Sequence, residues 1–137
     1  MSNNFRPFRR AIRREISVTY MSGPLDGKKI PFEQPPFGQE RVIAIGRREG
    51  TDIHLPFDNQ VSRLHAKLGC ASTPTTNTDS LSAPFVLTFW LEDCGSRNGT
   101  FLERDEQVQG RISLRPGTLF RIGRTWLRLD IPLSYGD

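Results

Sequence analysis

Cysteine is scarce in this chain: only Cys70 and Cys94 among 137 residues. Two thiols cannot staple a fold of this length, and with only His54 and His65 beside them no zinc spacing is present. Long apolar runs are missing too. Nothing approaches the run of about 18 apolar residues that a membrane helix needs. The opening segment MSNNFRPFRRAIRRE lacks the apolar stretch of a secretory signal. A cytoplasmic chain with no transmembrane segment, no bound metal and no cofactor is therefore expected. A long apolar period of 3.6 residues is absent from the body, which argues against a helical architecture.

Lysine is also rare, with three in the chain, yet the formal net charge is +4. The excess is local. Residues 1–16 hold Arg6, Arg9, Arg10, Arg13 and Arg14 against Glu15, whereas residues 17–137 hold 14 basic and 14 acidic side chains. A neutral body with a basic tail is not the even basic footprint of a nucleic-acid-binding domain, so nucleic acid is not the expected partner. Phe5, Phe8, Ile12 and Ile16 fall at helical spacing among the arginines, a pattern that a membrane or acidic surface could use. The segment is shorter than the ~12–15 residues an isolated helix needs. The preferred reading is a flexible tail over residues 1–15, with tail-mediated nucleic-acid or membrane association as an alternative.

What is present is strand chemistry. Glu15–Met21 alternates with a β-branched bias and runs into the turn Ser22-Gly23-Pro24-Leu25-Asp26-Gly27. Further strands are predicted at Lys28–Phe32, Arg41–Ile45, Ile53–Leu55, His65–Cys70, Phe85–Asp93, Thr100–Leu102, Val108–Leu114, Thr118–Ile122 and Trp126–Ile131. Many short strands separated by Gly and Pro point to an all-β sandwich of about 10–11 strands in two antiparallel sheets. Ala71–Pro84 holds seven Ser or Thr in 14 residues and little to bury, which reads as a mobile loop. Residues 132–137 read as a short C-terminal tail.

Three segments are unusual for a plain sandwich. Gly46-Arg47 stops a strand and presents an arginine; Ser62-Arg63-Leu64-His65 is a polar cluster before a strand; Asp93-Cys94-Gly95-Ser96-Arg97-Asn98-Gly99-Thr100 is a turn-forming octet. Because hairpin connections alternate ends, all three can lie at one end of the sandwich. Together they would offer Arg47, Arg63 and Arg97, the hydroxyls of Ser62 and Ser96, and the Asn98 amide. Such donors and positive charge suit a dianionic oxyanion such as phosphate.

In order and approximate spacing, Gly46-Arg47, Ser62-Arg63-Leu64-His65 and Asn98-Gly99-Thr100 resemble the signature of forkhead-associated (FHA) domains. Asp52-Ile53, Leu55, Val61, Asp93, Leu114, Gly117 and Ile122-Gly123 extend the resemblance over residues 16–131. It implies an FHA-like β-sandwich of about 11 strands that binds phosphothreonine peptides through loops at one end. By position, Arg47 would hold the phosphate, Ser62 would donate its hydroxyl, and Arg63 and Arg97 would line the phosphate or its neighbours. Asn98 would fix the peptide backbone. Gly46, His65, Gly99 and Thr100 would support the site, His65 by holding the serine loop and Gly99 by permitting the turn. A Thr-phosphorylated partner downstream of a Ser/Thr kinase follows, and the resemblance implies a binding module, not an enzyme. Preference for phosphothreonine over phosphoserine would need tight packing, since a methyl contributes only about 0.8 kcal/mol by area. An FHA-fold scaffold for an unphosphorylated surface is the alternative.

Two departures from the family pattern stand out. Glu103-Arg104-Asp105-Glu106-Gln107 replaces an Asn-Gly turn, and Thr118 takes a position usually held by aspartate. Ser62, His65 and Asp93 contain the residue types of a hydrolytic triad, but no G-x-S-x-G elbow accompanies them. Asn98-Gly99-Thr100 matches a glycosylation sequon that a cytoplasmic chain would not use. Cys70 and Cys94 are expected at opposite ends of a hairpin, hence as free thiols. Thr73, followed by Pro74, suggests weak self-association through a phosphorylated loop.

Overall fold

Ten strands form among the residues that the computed structural model describes, 15–74 and 85–131. They are β1 (Glu15–Tyr20), β2 (Lys29–Glu33), β3 (Glu40–Gly46), β4 (Ile53–His54), β5 (Ala66–Pro74), β6 (Phe85–Asp93), β7 (Thr100–Leu102), β8 (Arg111–Leu114), β9 (Leu119–Ile122) and β10 (Thr125–Asp130). One sheet has the order β2-β1-β10-β9-β7 and the other β4-β3-β5-β6-β8. The predicted antiparallel pairing needs one correction: β3 and β4 run parallel through Ile45↔Ile53 and Gly46↔His54. Six residues separate β3 from β4, too few for a helical crossover. The parallel contact accordingly stops after two residue pairs.

Alternation decides which faces meet. In β10, Thr125, Leu127 and Leu129 are buried while Trp126, Arg128 and Asp130 are half-buried. Val18, Phe120, Ile122, Leu127 and Leu129 of the first sheet share a core with Ile43, Ile45, Leu68, Leu91 and Leu114 of the second. Burying a Leu, Ile or Phe stabilises by about 1.5–3 kcal/mol, so this shared layer holds the sheets together.

Several boundaries differ from the sequence reading. Glu15, assigned to the tail, already pairs with Glu33. Residues 71–74, assigned to the mobile loop, continue β5 to the register Pro74↔Phe85. Local Ser/Thr composition is overridden there by pairing with the apolar strand β6, which carries Phe89 and Leu91 into the core. Thr73 is thus an exposed strand residue opposite Val86, not a loop residue. The tail calls over 1–14 and 132–137, and the loop over 75–84, lie outside the described residues.

The replaced turn still closes tightly. Leu102 N–H donates to Glu106 O (2.9 Å) and Asp105 N–H to Leu102 O (3.1 Å), with Asp105 at φ 60° in the left-handed region that Asp tolerates better than most residues. Both thiols are free. Cys70 lies opposite Phe89, whereas Cys94 bonds through its N–H to His65 O, five strand positions or about 17 Å away. Burial, with Glu40 nearby, pushes the Cys70 thiol up to about 11.

Candidate functional site

The registers bring the C-terminus of β3, the start of β5, the C-terminus of β6, the start of β7 and the β9–β10 turn to one end of the sandwich. Gly46 closes β3 at a point where two loops touch backbone to backbone. A Cβ there would lie 1.9 Å from the Arg63 carbonyl oxygen, so only glycine allows the approach. The Arg47 and Arg48 N–H groups then donate to the carbonyls of Ser62 (3.0 Å) and Arg63 (3.1 Å). Thr51, buried, donates its hydroxyl to Arg48 O at 2.7 Å and draws the loop back on itself.

Arg47 is exposed, but its Nε–H is committed to Val61 O at 2.9 Å. That bond fixes the plane of the guanidinium and leaves its terminal nitrogens as outward donors. Ser62 is half-buried, and its Oγ accepts the Arg97 N–H at 3.0 Å. A hydroxyl has one proton to give, so with a lone pair occupied this one is set to donate outward. Asn98 donates from Nδ2 to Gln60 O at 2.9 Å, leaving its carbonyl and second amide proton outward. The side chains of Arg63 and Arg97 are exposed on the same loops.

His65 is fully buried beneath these groups. Its Nδ1 accepts the Ser62 N–H at 3.0 Å, and its Nε2 sits 2.9 Å from Gly99 O. A backbone N–H can only donate and a carbonyl only accept, so the proton resides on Nε2. One neutral ring therefore ties the serine loop to the octet. Burial lowers its pKa, against opposing effects of the Gly99 carbonyl and the Asp93 and Asp58 charges.

Asp93 organises the octet itself. Its carboxylate accepts the N–H groups of Gly95 and Ser96 (both 3.0 Å), the Ser96 hydroxyl (2.6 Å) and the Thr100 hydroxyl (2.7 Å). Burial pushes its pKa up, but the hydrogen bonds from Ser96 and Thr100 outweigh that and hold it below the usual carboxylate value. Ser96 Oγ in turn accepts Gly99 N–H at 2.9 Å. Gly99 has φ 86°, a conformation that suits glycine. The triad is thereby dismantled: His65 receives the backbone N–H of Ser62, and Asp93 serves the octet.

The family model for the FHA domain matches residues 43–123, more than half of the chain. The chain belongs to the FHA domain family. It is 30% identical over 121 residues to the FHA domain-containing protein FhaB of Mycolicibacterium smegmatis and of Mycobacterium tuberculosis. That stretch covers 88% of this chain and 63% of FhaB, so the chain spans less than two thirds of the relatives' length. Among solved structures, the FHA domain of CT664 from Chlamydia trachomatis superposes with TM-score 0.61 at 20% identity, covering 89% of this chain and 99% of that one. Mycobacterium tuberculosis EmbR, in complex with a low affinity phosphopeptide, gives TM-score 0.61 at 20% identity over 90% of this chain and 26% of its own. These likenesses show the fold.

The FHA end of the molecule thus gathers Arg47, Ser62, Arg63, Arg97 and Asn98 around one mouth, with Gly46, His65, Gly99 and Thr100 behind it. His54, in β4, has Nε2 3.1 Å from Arg47 O. An open cleft lined by Pro24, Pro56, Phe57 and Arg124 continues from Arg47. Sequence reasoning missed Asp58 and Gln60, which buttress the mouth. Asx-turn chemistry at Asp58-Asn59-Gln60 was a local signal, but its long-range partners Arg124 and Thr125 had none.

Proposed function

We propose that this FHA domain is a phosphopeptide-binding module that recognises phosphothreonine in a partner protein modified by a Ser/Thr kinase. The observation that supports it most is the pair formed by Arg47 and Ser62. The guanidinium is locked by Val61 O so that its terminal donors face outward, and the hydroxyl has its acceptor side occupied by Arg97 N–H. Charge-assisted donors of this kind match an oxygen-rich dianion; a phosphate adds about −1.5 to −2 charges and three acceptor oxygens. Asn98, within the octet, would bond the peptide backbone beside the phosphothreonine. The phosphopeptide present on EmbR is consistent with the reading. The domain acts by reversible docking, without a catalytic step or a cofactor.

The test is calorimetric titration with a degenerate phosphothreonine peptide library and its matched phosphoserine and unphosphorylated forms. Binding to the phosphothreonine form, weaker binding to phosphoserine and none to the unphosphorylated form is the expected result. Equal binding to the phosphorylated and unphosphorylated forms would transfer the assignment to a phosphate-independent scaffold.

A further inference from the structure

Behind the mouth lies a buried carboxylate whose hydrogen bonds go to Gln60, Arg124 and Thr125 and not to the proposed ligand-binding side chains. Asp58 is 5% exposed and sits in the connection between β4 and β5. Its Oδ2 accepts the Arg124 N–H at 2.8 Å, from the β9–β10 turn of the opposite sheet, and the hydroxyl of Thr125, the first residue of β10, at 2.6 Å. Its Oδ1 accepts the Gln60 N–H at 3.0 Å, and its own carbonyl accepts the Val61 N–H at 3.2 Å. The segment 58–61 is pressed against Gly123 of that turn, where a Cβ would come 2.7 Å from Val61 Cγ2 and 3.0 Å from Asp58 Oδ1. One carboxylate therefore pins the segment 58–61 to the other sheet.

The two carbonyls of that segment have specific tasks. Gln60 O receives Asn98 Nδ2 at 2.9 Å, and Val61 O receives Arg47 Nε at 2.9 Å. Successive carbonyls of one short turn thus orient the two side chains that reach the mouth from different loops. A shift of the turn would swing both together, because each is held by a single directional bond. We propose that Asp58 is the positioning residue of the site, setting the angles of Arg47 and Asn98 through the carbonyls of Val61 and Gln60. The positioning of these side chains is visible without ligand; its consequence for affinity rests on the phosphopeptide reading above.

The experiment compares wild type with Asp58→Asn, which keeps the shape but places a donor where three donors converge. Whichever way the amide turns, either Gln60 N–H or Arg124 N–H loses its acceptor. Ile16→Ala, in the core at the far end of β1, serves as an equally folded but destabilised control. Should Asp58→Asn fail to fold, Thr125→Val, nearly isosteric, removes only one of the carboxylate's donors and is read in the same way with a smaller displacement. Nuclear magnetic resonance of the ligand-free domain follows the Arg47 Nε–H and Asn98 Nδ2–H₂ signals. Calorimetry follows a bound phosphothreonine peptide.

Both signals should shift and exchange faster with water in Asp58→Asn and stay as in wild type in Ile16→Ala. Affinity should fall about 3- to 10-fold, as expected for misplacing one or two hydrogen bonds. Unmoved signals in a folded Asp58→Asn variant overturn the proposal, as do signals that move with affinity unchanged, or signals that move equally in Ile16→Ala. If wild type binds no phosphopeptide while the signals depend on Asp58, the functional reading fails and the positioning role stands.

Discussion

At the scale of single residues, Arg47 and His65 divide the work between contact and support. Arg47 is exposed and makes one side-chain bond, so Arg47→Ala should leave the fold intact. It should weaken phosphothreonine-peptide binding by about 2–5 kcal/mol, or roughly 30- to 4,000-fold, the usual loss when one member of a hydrogen-bonded charge pair is removed. Arg47→Lys should recover only part, because an ammonium cannot both hold Val61 O and present a planar pair of donors. Titration calorimetry, with circular dichroism as the folding control, decides it; a folded Arg47→Ala that binds like wild type would place the site elsewhere. His65 behaves oppositely. Its lowered pKa means the unfolded chain takes up the proton first, near the ordinary value of 6.5. Stability from His65 is therefore complete above that pH and is lost as pH falls towards the folded value. Asp93 adds a second loss below its ordinary 3.8, since its folded pKa is also depressed. Denaturant unfolding between pH 7.5 and 5 should show falling stability in wild type. The dependence should flatten in His65→Ala, which should itself be about 1–3 kcal/mol less stable through an unpaired Ser62 N–H and Gly99 carbonyl.

At the scale of elements, the site is made of loops whose shapes have different origins. Gly46 is required by contact and Gly95 by conformation. A Cβ at Gly46 meets Arg63 backbone, whereas Gly95 has φ 73° and open space around it. Gly46→Ala should cost about 1–3 kcal/mol by overpacking and also weaken peptide binding, because the arginine and serine loops must part. Gly95→Ala should cost about 1–2 kcal/mol for the left-handed backbone and leave the loop spacing alone. Thermal unfolding and calorimetry of the two variants separate the mechanisms; equal effects on binding would refute the distinction. Pro74 and Phe85, the described residues on either side of 75–84, pair at the other end, since β5 leaves the site at Ala66. Removing four to six residues from 76–83 should leave peptide affinity unchanged, as closure entropy changes slowly with length. Loss of binding in a folded deletion would contradict this. The ten strands were legible as alternation and turn residues to within a few positions, with one difference of substance: β5 extends to Pro74 through a Ser/Thr-rich stretch. That extension is decided by pairing with β6, a non-local contact without a local signature.

At the scale of the whole molecule, charge and fold are separable. Residues 15–137 hold 14 basic and 15 acidic side chains, so removing residues 1–14, which hold five arginines and no acid, leaves a nearly neutral domain. That truncation should abolish retention on heparin at low salt and leave phosphothreonine-peptide affinity within about twofold, because exposed charges beyond a Debye length of about 10 Å are screened. A truncated domain that loses peptide binding would bring the tail into the site.

The residue types of the mouth and their order along the chain belong to the sequence alone: Gly46-Arg47, Ser62 to His65, and Asp93 to Thr100 are local patterns with local turn chemistry. Strand alternation likewise follows from side-chain period. The tertiary structure alone decided that Nε2 of His65 meets the Gly99 carbonyl, that Ser62 Oγ takes the Arg97 N–H, and that Asp58 reaches across to Arg124 and Thr125. The physical reason is directionality. A hydrogen bond between residues 35 or 67 positions apart depends on where two sheets set their loops, and no pattern within either loop carries that distance.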